Sequence, residues 1–279
     1  MPLWTKVLLA FARDPAEPEI GATVSYTIDN CLDYARKTIP SFDEQVRNRT
    51  VLDYGCGPGF QAVAMVSRCG AKRAFGLDVV TDWFANGRKL AEENHCADRV
   101  SFGDRIPAEL DGKFDAVLSL SAFEHYSDPA RELRTMRDQL LPGGVILLSF
   151  AEPWWSHSGS HIGNYTRIPF TNAAVPWVNL FFSDQALLDL RARFRPDHPT
   201  RLCDISGGLN KMTVRRFEQL VAAMPEMRVE YLRLHSVKRV PLVTRVPVLR
   251  ELMTGALTCI LKPAVKAWRI SKEAAAICS

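Results

Sequence analysis

Residues 51–59 read VLDYGCGPG, an apolar run that ends in an aspartate and three closely spaced glycines. A short apolar run of this kind is typical of a buried strand, and the glycines indicate a tight turn at its end. Glycine lets the backbone approach a ligand closely, and a helix that starts after the turn offers unpaired amide groups. Because ligands of open α/β sheets bind at the carboxyl ends of strands, this stretch is predicted to form a binding loop.

The surrounding sequence alternates strand and helix patterns from residue 49 to residue 150. Short apolar runs lie at 50–54, 74–80, 100–103, 116–120 and 145–150. Helical patterns lie between them, near 60–69, 82–95 and 129–140. This alternation is typical of a mostly parallel sheet with helices on both faces. We therefore predict an α/β fold with a Rossmann-like sheet.

The spacing of the glycines separates two classes of nucleotide ligand. The dinucleotide fingerprint is G-x-G-x-x-G, whereas this loop runs G-x-G-x-G and has Phe60 where the third glycine of the fingerprint falls. Asp53 also puts a negative charge just before the loop, which disfavours a pyrophosphate and tolerates a cationic ligand. A dehydrogenase is therefore not favoured.

Two further aspartates follow predicted strands. Asp78 closes FGLD, where a carboxylate can accept both hydroxyls of a ribose. Asp104 closes SFGD, where it can accept an amine hydrogen of a purine. Each alone is better explained as a turn or cap residue. Together with the glycine loop, they predict a pocket for a ribonucleoside that carries a positive charge and no phosphate.

Five segments resemble the class I S-adenosylmethionine-dependent methyltransferases, in the small-molecule (type 11) branch that includes ubiquinone and natural-product enzymes. In the family's order they are VLDYGCGPG (51–59), FGLD (75–78), FGD (102–104), FDAVLSLSAFEH (114–125) and LPGGVILLSF (141–150). The resemblance implies a seven-stranded, mostly parallel sheet with one antiparallel strand. It also implies S-adenosyl-L-methionine as cofactor and S-adenosylhomocysteine as product.

By that resemblance, the glycine loop would hold the methionine part of the cofactor, Asp78 the ribose, and Asp104 with its neighbour the adenine. The implied cofactor-binding residues are Asp53, Gly55, Cys56, Gly57, Gly59, Asp78, Val79, Asp104, Arg105, Ser119 and Leu120.

The fourth strand departs from the methyltransferases of this fold that act on DNA bases and protein amides. Those enzymes carry an Asn/Asp-Pro-Pro-Tyr segment, whereas this chain has SLSAFEH at 119–125. Base or amide methylation is therefore not expected. No recognition helix or basic and aromatic stripe indicates nucleic acid as a partner.

Three histidines are candidate general bases, because an acceptor hydroxyl or acidic carbon must lose a proton and the imidazole pKa lies near working pH. His125 follows the fourth predicted strand, and its alternative role is to pack against the next helix or to orient the cofactor. His157 and His161 lie in PWWSHSGSH at 153–161, where Ser-Gly-Ser indicates a loop. Two histidines without a third ligand predict no metal site.

Residues 151–210 break the α/β rhythm and are rich in Trp, His, Pro and Ser. An irregular insertion of this length in a compact domain is usually a lid or a binding element. A plain structural loop is the alternative. The candidate acceptor-binding residues within it are Trp154, Trp155, Tyr165 and Trp177.

The predicted organisation has five parts. They are an N-terminal helical arm (1–48), a cofactor-binding core (49–150), the acceptor-binding insertion (151–210), the closing helix and strands of the core (211–262) and an amphipathic tail (263–279).

Charge and cysteine usage bear on the surroundings of the protein. The net charge is +4, and residues 228–279 carry ten Lys/Arg against three Glu, so this part has +7 and the rest has −3. The basic tail suggests contact with an anionic membrane surface, or it packs on the sheet edge with a solvated Lys/Arg face. Seven cysteines with no C-x-x-C pair indicate a reducing, cytoplasmic setting. The sequence does not indicate an oligomeric state.

These observations predict a methyltransferase that acts on an oxygen, nitrogen or carbon atom of a small aromatic or polyketide-like acceptor. One alternative is a cyclase in which the cofactor is structural. The other is a non-catalytic interaction platform.

Overall fold

The computed structural model describes residues 3–14, 27–171, 173–195, 199–204, 208–237 and 243–264. Its centre is a seven-stranded sheet in the order β3-β2-β1-β4-β5-β7-β6. The strands are β1 (Thr50–Tyr54), β2 (Arg73–Leu77), β3 (Val100–Gly103), β4 (Phe114–Leu120), β5 (Leu140–Ala151), β6 (Met227–Ser236) and β7 (Thr254–Pro263). Neighbours among β1 to β5 pair in parallel, and β7 runs antiparallel to β5 and β6. The predicted sheet with one antiparallel strand is confirmed.

Helices cover both faces of this sheet, and others belong to the insertion. In chain order the helices are α1 (Leu3–Ala10), α2 (Ile28–Thr38), α3 (Phe42–Val46), α4 (Phe60–Ser67), α5 (Phe84–Glu93), α6 (Pro129–Asp138), α7 (Val178–Phe181), α8 (Asp184–Arg191), α9 (Val214–Ala222) and α10 (Pro247–Met253). Apolar side chains of α2 to α5 form one core with the sheet. Those of α6 and α9 form a second core on the other face.

Local chemistry accounts for where several helices begin. At α6, the Asp128 side chain accepts a hydrogen bond from the Arg131 amide and Pro129 opens the first turn, as the sequence predicts. Ser183 caps α8 in the same way through the amide of Ala186, and Thr213 caps α9.

Strand β5 starts five residues earlier than the sequence pattern predicts. Pro142, Gly143 and Gly144 lie between the predicted helix at 129–140 and the predicted strand at 145–150, yet in the structure they belong to β5. Phe114 pairs with Leu140, and a register shift between Phe114 and Ala116 absorbs the extra residues. Such a bulge explains why turn residues occur within a strand.

The insertion has a core of its own, separate from the two cores of the sheet. Trp154, Tyr165 and Leu187 are buried in it together with Leu8 of α1. Helix α1 therefore packs on the insertion, and a single bridge between Ala12 and Thr166 joins the two segments.

The C-terminal part is described only to residue 264. The segment 246–261, with its apolar and basic positions, divides into α10 and most of β7. The predicted amphipathic tail at 263–279 lies outside the described residues from position 265 onward. No described helix combines the length and the apolar character needed to cross a bilayer.

Candidate functional site

The glycine loop, residues 55–59, connects β1 to α4 at the carboxyl edge of the sheet. The amides of Gly55 and Cys56 donate to the carbonyl oxygen of Leu77, at 2.8 and 3.0 Å, at the end of β2. The Asp78 carboxylate accepts from the Gly57 amide at 2.8 Å and from the Val80 amide at 2.9 Å. Asp78 thus holds the glycine loop against the turn that follows β2.

All three loop glycines have positive φ, but they serve different purposes. A Cβ on Gly55 would lie 2.6 Å from the Ala122 side chain, and one on Gly59 would lie 2.7 Å from the Phe102 ring. At Gly57 the nearest atoms, those of Trp83, would be 3.5 Å away. Gly55 and Gly59 therefore permit close packing within the protein, whereas a Cβ on Gly57 would meet only ordinary contacts with Trp83.

Asp53, the last but one residue of β1, is buried beside this loop. It is only 2% exposed, and its Oδ2 has no hydrogen-bond partner among the described residues. Burial, and next the charge of Asp78, raise the Asp53 pKa to about 7. A positively charged ligand at the loop would supply the missing partner, so the residues present fit a cationic nucleoside such as S-adenosyl-L-methionine.

The remaining predicted cofactor residues differ in burial and fall into three groups. The side chains of Val79, Asp104 and Arg105 lie largely in solvent, and Asp104 and Arg105 form a surface ion pair at 3.4 Å. Cys56 and Ser119 are buried. Leu120 is half-buried at the end of β4.

The side chains of Cys56 and Ser119 are directed at other protein groups. A Cβ on Gly76 would lie 2.9 Å from the Cys56 sulfur, and the Ser119 hydroxyl lies 2.9 Å from the Tyr126 hydroxyl. Only the backbone of these two residues is therefore left to face a cofactor.

Tyr126 is a supporting residue that the sequence reasoning missed. Its hydroxyl donates to the carbonyl oxygen of Tyr54 at 2.8 Å. A Cβ on Gly55 would lie only 2.8 Å from the same hydroxyl. The ring thus supports the glycine loop from behind. Its position directly after Glu124 and His125 is the only sequence feature that could have indicated this role.

Two of the three candidate histidines come together beyond the ends of β4 and β5. The rings of His125 and His161 are 5.5 Å apart between centroids. His125 Nδ1 lies 2.7 Å from the carbonyl oxygen of Gly208. Because a carbonyl oxygen only accepts, Nδ1 carries the proton and the lone pair of a neutral His125 ring is on Nε2.

Glu152, directly after β5, lies beside these histidines and was also missed. One of its carboxylate oxygens is 3.4 Å from His161 Nε2, and the other accepts from the Ser158 hydroxyl at 2.6 Å. Glu152 and His161 both have positive φ, at 58° and 56°, and so does Ser121 after β4. Such strained residues cluster at functional sites.

Burial dominates the electrostatics of this cluster. Burial, and next the positive charge that His125 can carry, lower the pKa of His161 to about 4, so His161 is neutral at pH 7. Burial, with the charge of Glu152 as a smaller cause, raises the pKa of Glu124 to about 8. Burial likewise raises the pKa of Glu152, which Ser158 partly opposes.

The insertion closes over the cluster. His157 lies beside Trp177, whose amide donates to the His157 carbonyl oxygen at 2.7 Å, and Ser158 connects this segment to Glu152. Trp154 is buried under Lys211, and Trp155 is 37% exposed next to it.

Tyr165 is placed differently from the other predicted acceptor residues. It is 1% exposed and stacks on Phe194, with the Arg195 guanidinium over its ring. Its ring has no surface left for an acceptor.

The far end of the insertion returns to the same site. The side-chain amide of Asn210 donates to the carbonyl oxygens of Phe123 and Tyr126, at 2.8 and 3.0 Å. The backbone amide of Asn210 donates to the carbonyl oxygen of Glu124. This anchor holds Gly208 and its carbonyl oxygen against His125. Among the described residues, no group of three or more His, Cys, Asp or Glu side chains comes together as a metal site.

The raised pKa of Glu124 makes a prediction about stability. A carboxyl whose pKa is higher when folded stabilises the protein fully below its usual pKa near 4.5, and this stabilisation is lost as the pH rises through about 8. Glutamine cannot ionise. Relative to Glu124→Gln, the unfolding free energy of the wild type should therefore fall by on the order of 2–4 kcal/mol between pH 5 and pH 8.5.

Urea unfolding of both proteins across this pH range measures the difference. Glu92→Gln, an exposed position on α5, is the control and should follow the wild type. A constant difference between wild type and Glu124→Gln across the range would contradict the burial of an ionisable group at this site.

Comparison with known proteins agrees with this geometry. A family model described as a methyltransferase domain matches residues 32–194. The tRNA U34 carboxymethyltransferase of Shewanella sp. (strain ANA-3) is 37% identical over 106 residues, which cover 37% of this chain and 32% of that protein. The same enzyme of Shewanella loihica is 36% identical over an equal length. The chain thus matches about a third of the length of these relatives.

Solved structures share the fold at low identity. The [4+2]-cyclase SpnF superposes with a TM-score of 0.51 and 16% identity, covering 85% of this chain and 81% of the other. Geranyl diphosphate methyltransferase in complex with SAM has a TM-score of 0.51 and 13% identity, covering 85% and 84%. At such identities, the likeness concerns the fold alone.

Proposed function

The chain belongs to the methyltransferase domain family, whose cofactor is S-adenosyl-L-methionine, and from this premise we propose that it methylates a small acceptor molecule. The acceptor binds beyond the ends of β4 and β5, under the loop at 153–161. One observation carries the proposal: His125 clusters with His161 and Glu152 of the insertion. This cluster lies beyond the carboxyl ends of β4 and β5, at the same edge of the sheet as the glycine loop. The acceptor is small and largely apolar or aromatic, and the atom that is methylated is an oxygen, a nitrogen or a carbon.

The residues that would hold the cofactor are Asp53, Gly57 and Asp78. When bound, the cofactor supplies an electrophilic methyl group on a cationic sulfur. Asp53 would balance positive charge with its unpaired oxygen, and Gly57 leaves room for the approach of the ligand. Asp78 keeps the glycine loop in place through two amide hydrogen bonds.

His125 serves as the general base in this proposal. Its Nδ1–H donates to the Gly208 carbonyl oxygen, which orients the ring and stabilises the positive charge that forms when Nε2 takes a proton. The neutral His161 ring lies between His125 and Glu152. In this position Glu152 can balance the positive charge that forms on His125. With an acceptor bound, the acceptor and the insertion together would exclude water, which would keep the acceptor aligned and the proton transfer efficient.

A nucleic-acid acceptor is disfavoured by the charge of this cleft. Glu124 is buried and Glu152 half-buried at this site, and among the described residues no Lys or Arg forms an ion pair with either. Phosphate groups bind where Lys and Arg neutralise them. We therefore do not extend the tRNA activity of the Shewanella relatives to this chain.

The test is a methyl-transfer assay on a panel of small aromatic and polyketide-like acceptors, read as release of S-adenosylhomocysteine and as the mass of one added methyl group on the acceptor. With an acceptor that is turned over, His125→Gln should lower kcat/KM about 100-fold, because the proton has no acceptor of suitable pKa. The affinity for S-adenosylhomocysteine should not change. The exposed His95, changed to Asn, is the control and should keep full activity.

Two results would reject the proposal. Conversion of an acceptor with no change in mass would identify a cyclase instead. Tight binding of the cofactor with no turnover of any panel member would favour the interaction platform.

A further inference from the structure

Glu124 and Glu152 form an acidic pair that has no Lys or Arg partner among the described residues. Glu124 is 4% exposed, and the Glu152 carboxylate lies 3.4 Å from His161 Nε2 and 2.6 Å from the Ser158 hydroxyl. In the part of the chain that the structure describes, no Lys or Arg pairs with these two carboxyls or lowers their pKa. The neighbouring His161 is neutral at pH 7, so it supplies no charge either.

Unpaired hydrogen-bonding atoms occur in the same region. Glu124 Oε2 is buried without a hydrogen-bond partner among the described residues. The hydroxyls of Ser156 and Ser160, both fully buried in the loop at 153–161, also have no hydrogen-bond partner among those residues. Buried carboxyls and hydroxyls are nearly always hydrogen-bonded. A ligand is therefore expected to supply the hydrogen bonds that the described residues do not.

We propose that the pocket formed by Glu124, Glu152, His125 and His161 binds the protonated amino group of the acceptor, which makes the substrate class a small amine. This inference rests on the proposed function, because it names the acceptor of the same site. An ammonium group brings one positive charge and three N–H donors. The Glu124 and Glu152 oxygens and a histidine lone pair are acceptors that match them.

Competing acceptors fit this pocket less well. A carboxylate would add a negative charge next to two carboxyls whose pKa values burial already raises. A neutral hydroxyl would hydrogen-bond but would not favour the ionised form of either carboxyl. An ammonium ion favours the ionised form of both carboxyls and is then held by charge-assisted hydrogen bonds, which are about twice as strong as neutral ones.

His125 then has a defined task. An ammonium nitrogen has no lone pair, so it must lose one proton before it can act as a nucleophile. The proton moves from nitrogen to His125 Nε2, and the positive charge moves with it to the imidazolium. The positive charge on His125 stays near Glu152, because His161 lies between the two and contacts both. His125 Nδ1 keeps its hydrogen bond to the Gly208 carbonyl oxygen.

Calorimetric titration of the protein saturated with S-adenosylhomocysteine tests the inference. The probes share one ring and differ in one group: benzylamine, benzyl alcohol and benzoate at pH 7. We expect benzylamine to bind at least about tenfold more tightly than benzyl alcohol and benzoate to bind most weakly. Glu152→Gln and Glu124→Gln should each remove most of the preference for the amine, and Glu92→Gln on α5 should preserve it.

The affinity for the cofactor separates this inference from the proposed function. If the wild type does not bind S-adenosylhomocysteine, the proposed function fails first. If it does, equal affinity for amine and alcohol, or no detectable binding of benzylamine, overturns the inference alone. A loss of affinity for S-adenosyl-L-methionine or S-adenosylhomocysteine in Glu152→Gln would assign the acidic pair to the cofactor and also overturn it. Unchanged affinity in both glutamine variants shows that they are folded.

Discussion

Asp78→Ala should weaken the binding of S-adenosylhomocysteine about 1,000-fold. The carboxylate accepts hydrogen bonds from the amides of Gly57 and Val80, and both amides lose their partner in the variant. Hydrogen bonds to a charged group contribute about 1.5–3 kcal/mol each to holding the loop in its ordered form. In the variant the ligand must supply this ordering free energy, so losing two such bonds corresponds to roughly three orders of magnitude in affinity. The family resemblance adds the ribose as a third partner of this side chain. Calorimetric titration of wild type and variant measures the loss.

Asp82→Ala is the matched control for this prediction. Asp82 lies four residues further along in the same turn and is exposed. Asp82 carries the same charge as Asp78, so its removal tests whether a negative charge near the loop is by itself enough to account for the affinity for the cofactor. Equal loss of affinity in both variants would show that general electrostatics, and not the two amide hydrogen bonds, governs cofactor binding. A change below tenfold in Asp78→Ala would contradict the role of this residue.

Gly59→Ala should lower the free energy of unfolding by about 3–5 kcal/mol. Gly59 has a φ of +87°, and an added Cβ would lie 2.7 Å from the Phe102 ring and 2.9 Å from the backbone of Gly87. Phe102 on β3 and Gly87 on α5 belong to separate elements that would both have to move. The midpoint of urea unfolding measures the effect.

Gly143→Ala separates strain of the backbone from overpacking. Gly143 has a similar φ of +77°, but an added Cβ would meet no atom within 4 Å. Its replacement should therefore destabilise the protein by only the conformational cost of about 1–2 kcal/mol. If both variants lose the same stability, positive φ alone accounts for the glycine at position 59, and the close packing against Phe102 is not important.

The cofactor side of the site was largely predictable from local sequence. Asp53 and Asp78 each stand at the end of a short apolar run, and the end of a parallel strand is where the sheet opens toward a ligand. The pattern therefore located both residues without knowledge of the tertiary structure. It did not reveal that Gly55 and Gly59 serve packing, because the atoms that crowd them belong to Ala122 and Phe102, far along the chain.

The acceptor side was only partly predictable. His125 and His161 were named from their residue type and their places after predicted strands. Glu124 and Glu152 were missed because a glutamate near a strand end looks like any other exposed carboxylate. Only the parallel pairing of β4 with β5 brings the segments that follow these strands, and with them the two carboxyls, close together.

The sequence by itself determined the class of fold, the order of its elements and the position of the cofactor loop. These features follow from apolar periodicity and from residues that act within a few positions of one another. The tertiary structure alone decided which side chains form the acceptor site. His125 depends on the Gly208 carbonyl oxygen, 83 residues away along the chain. Contacts over such distances are set by the packing of whole elements, and no local pattern encodes them.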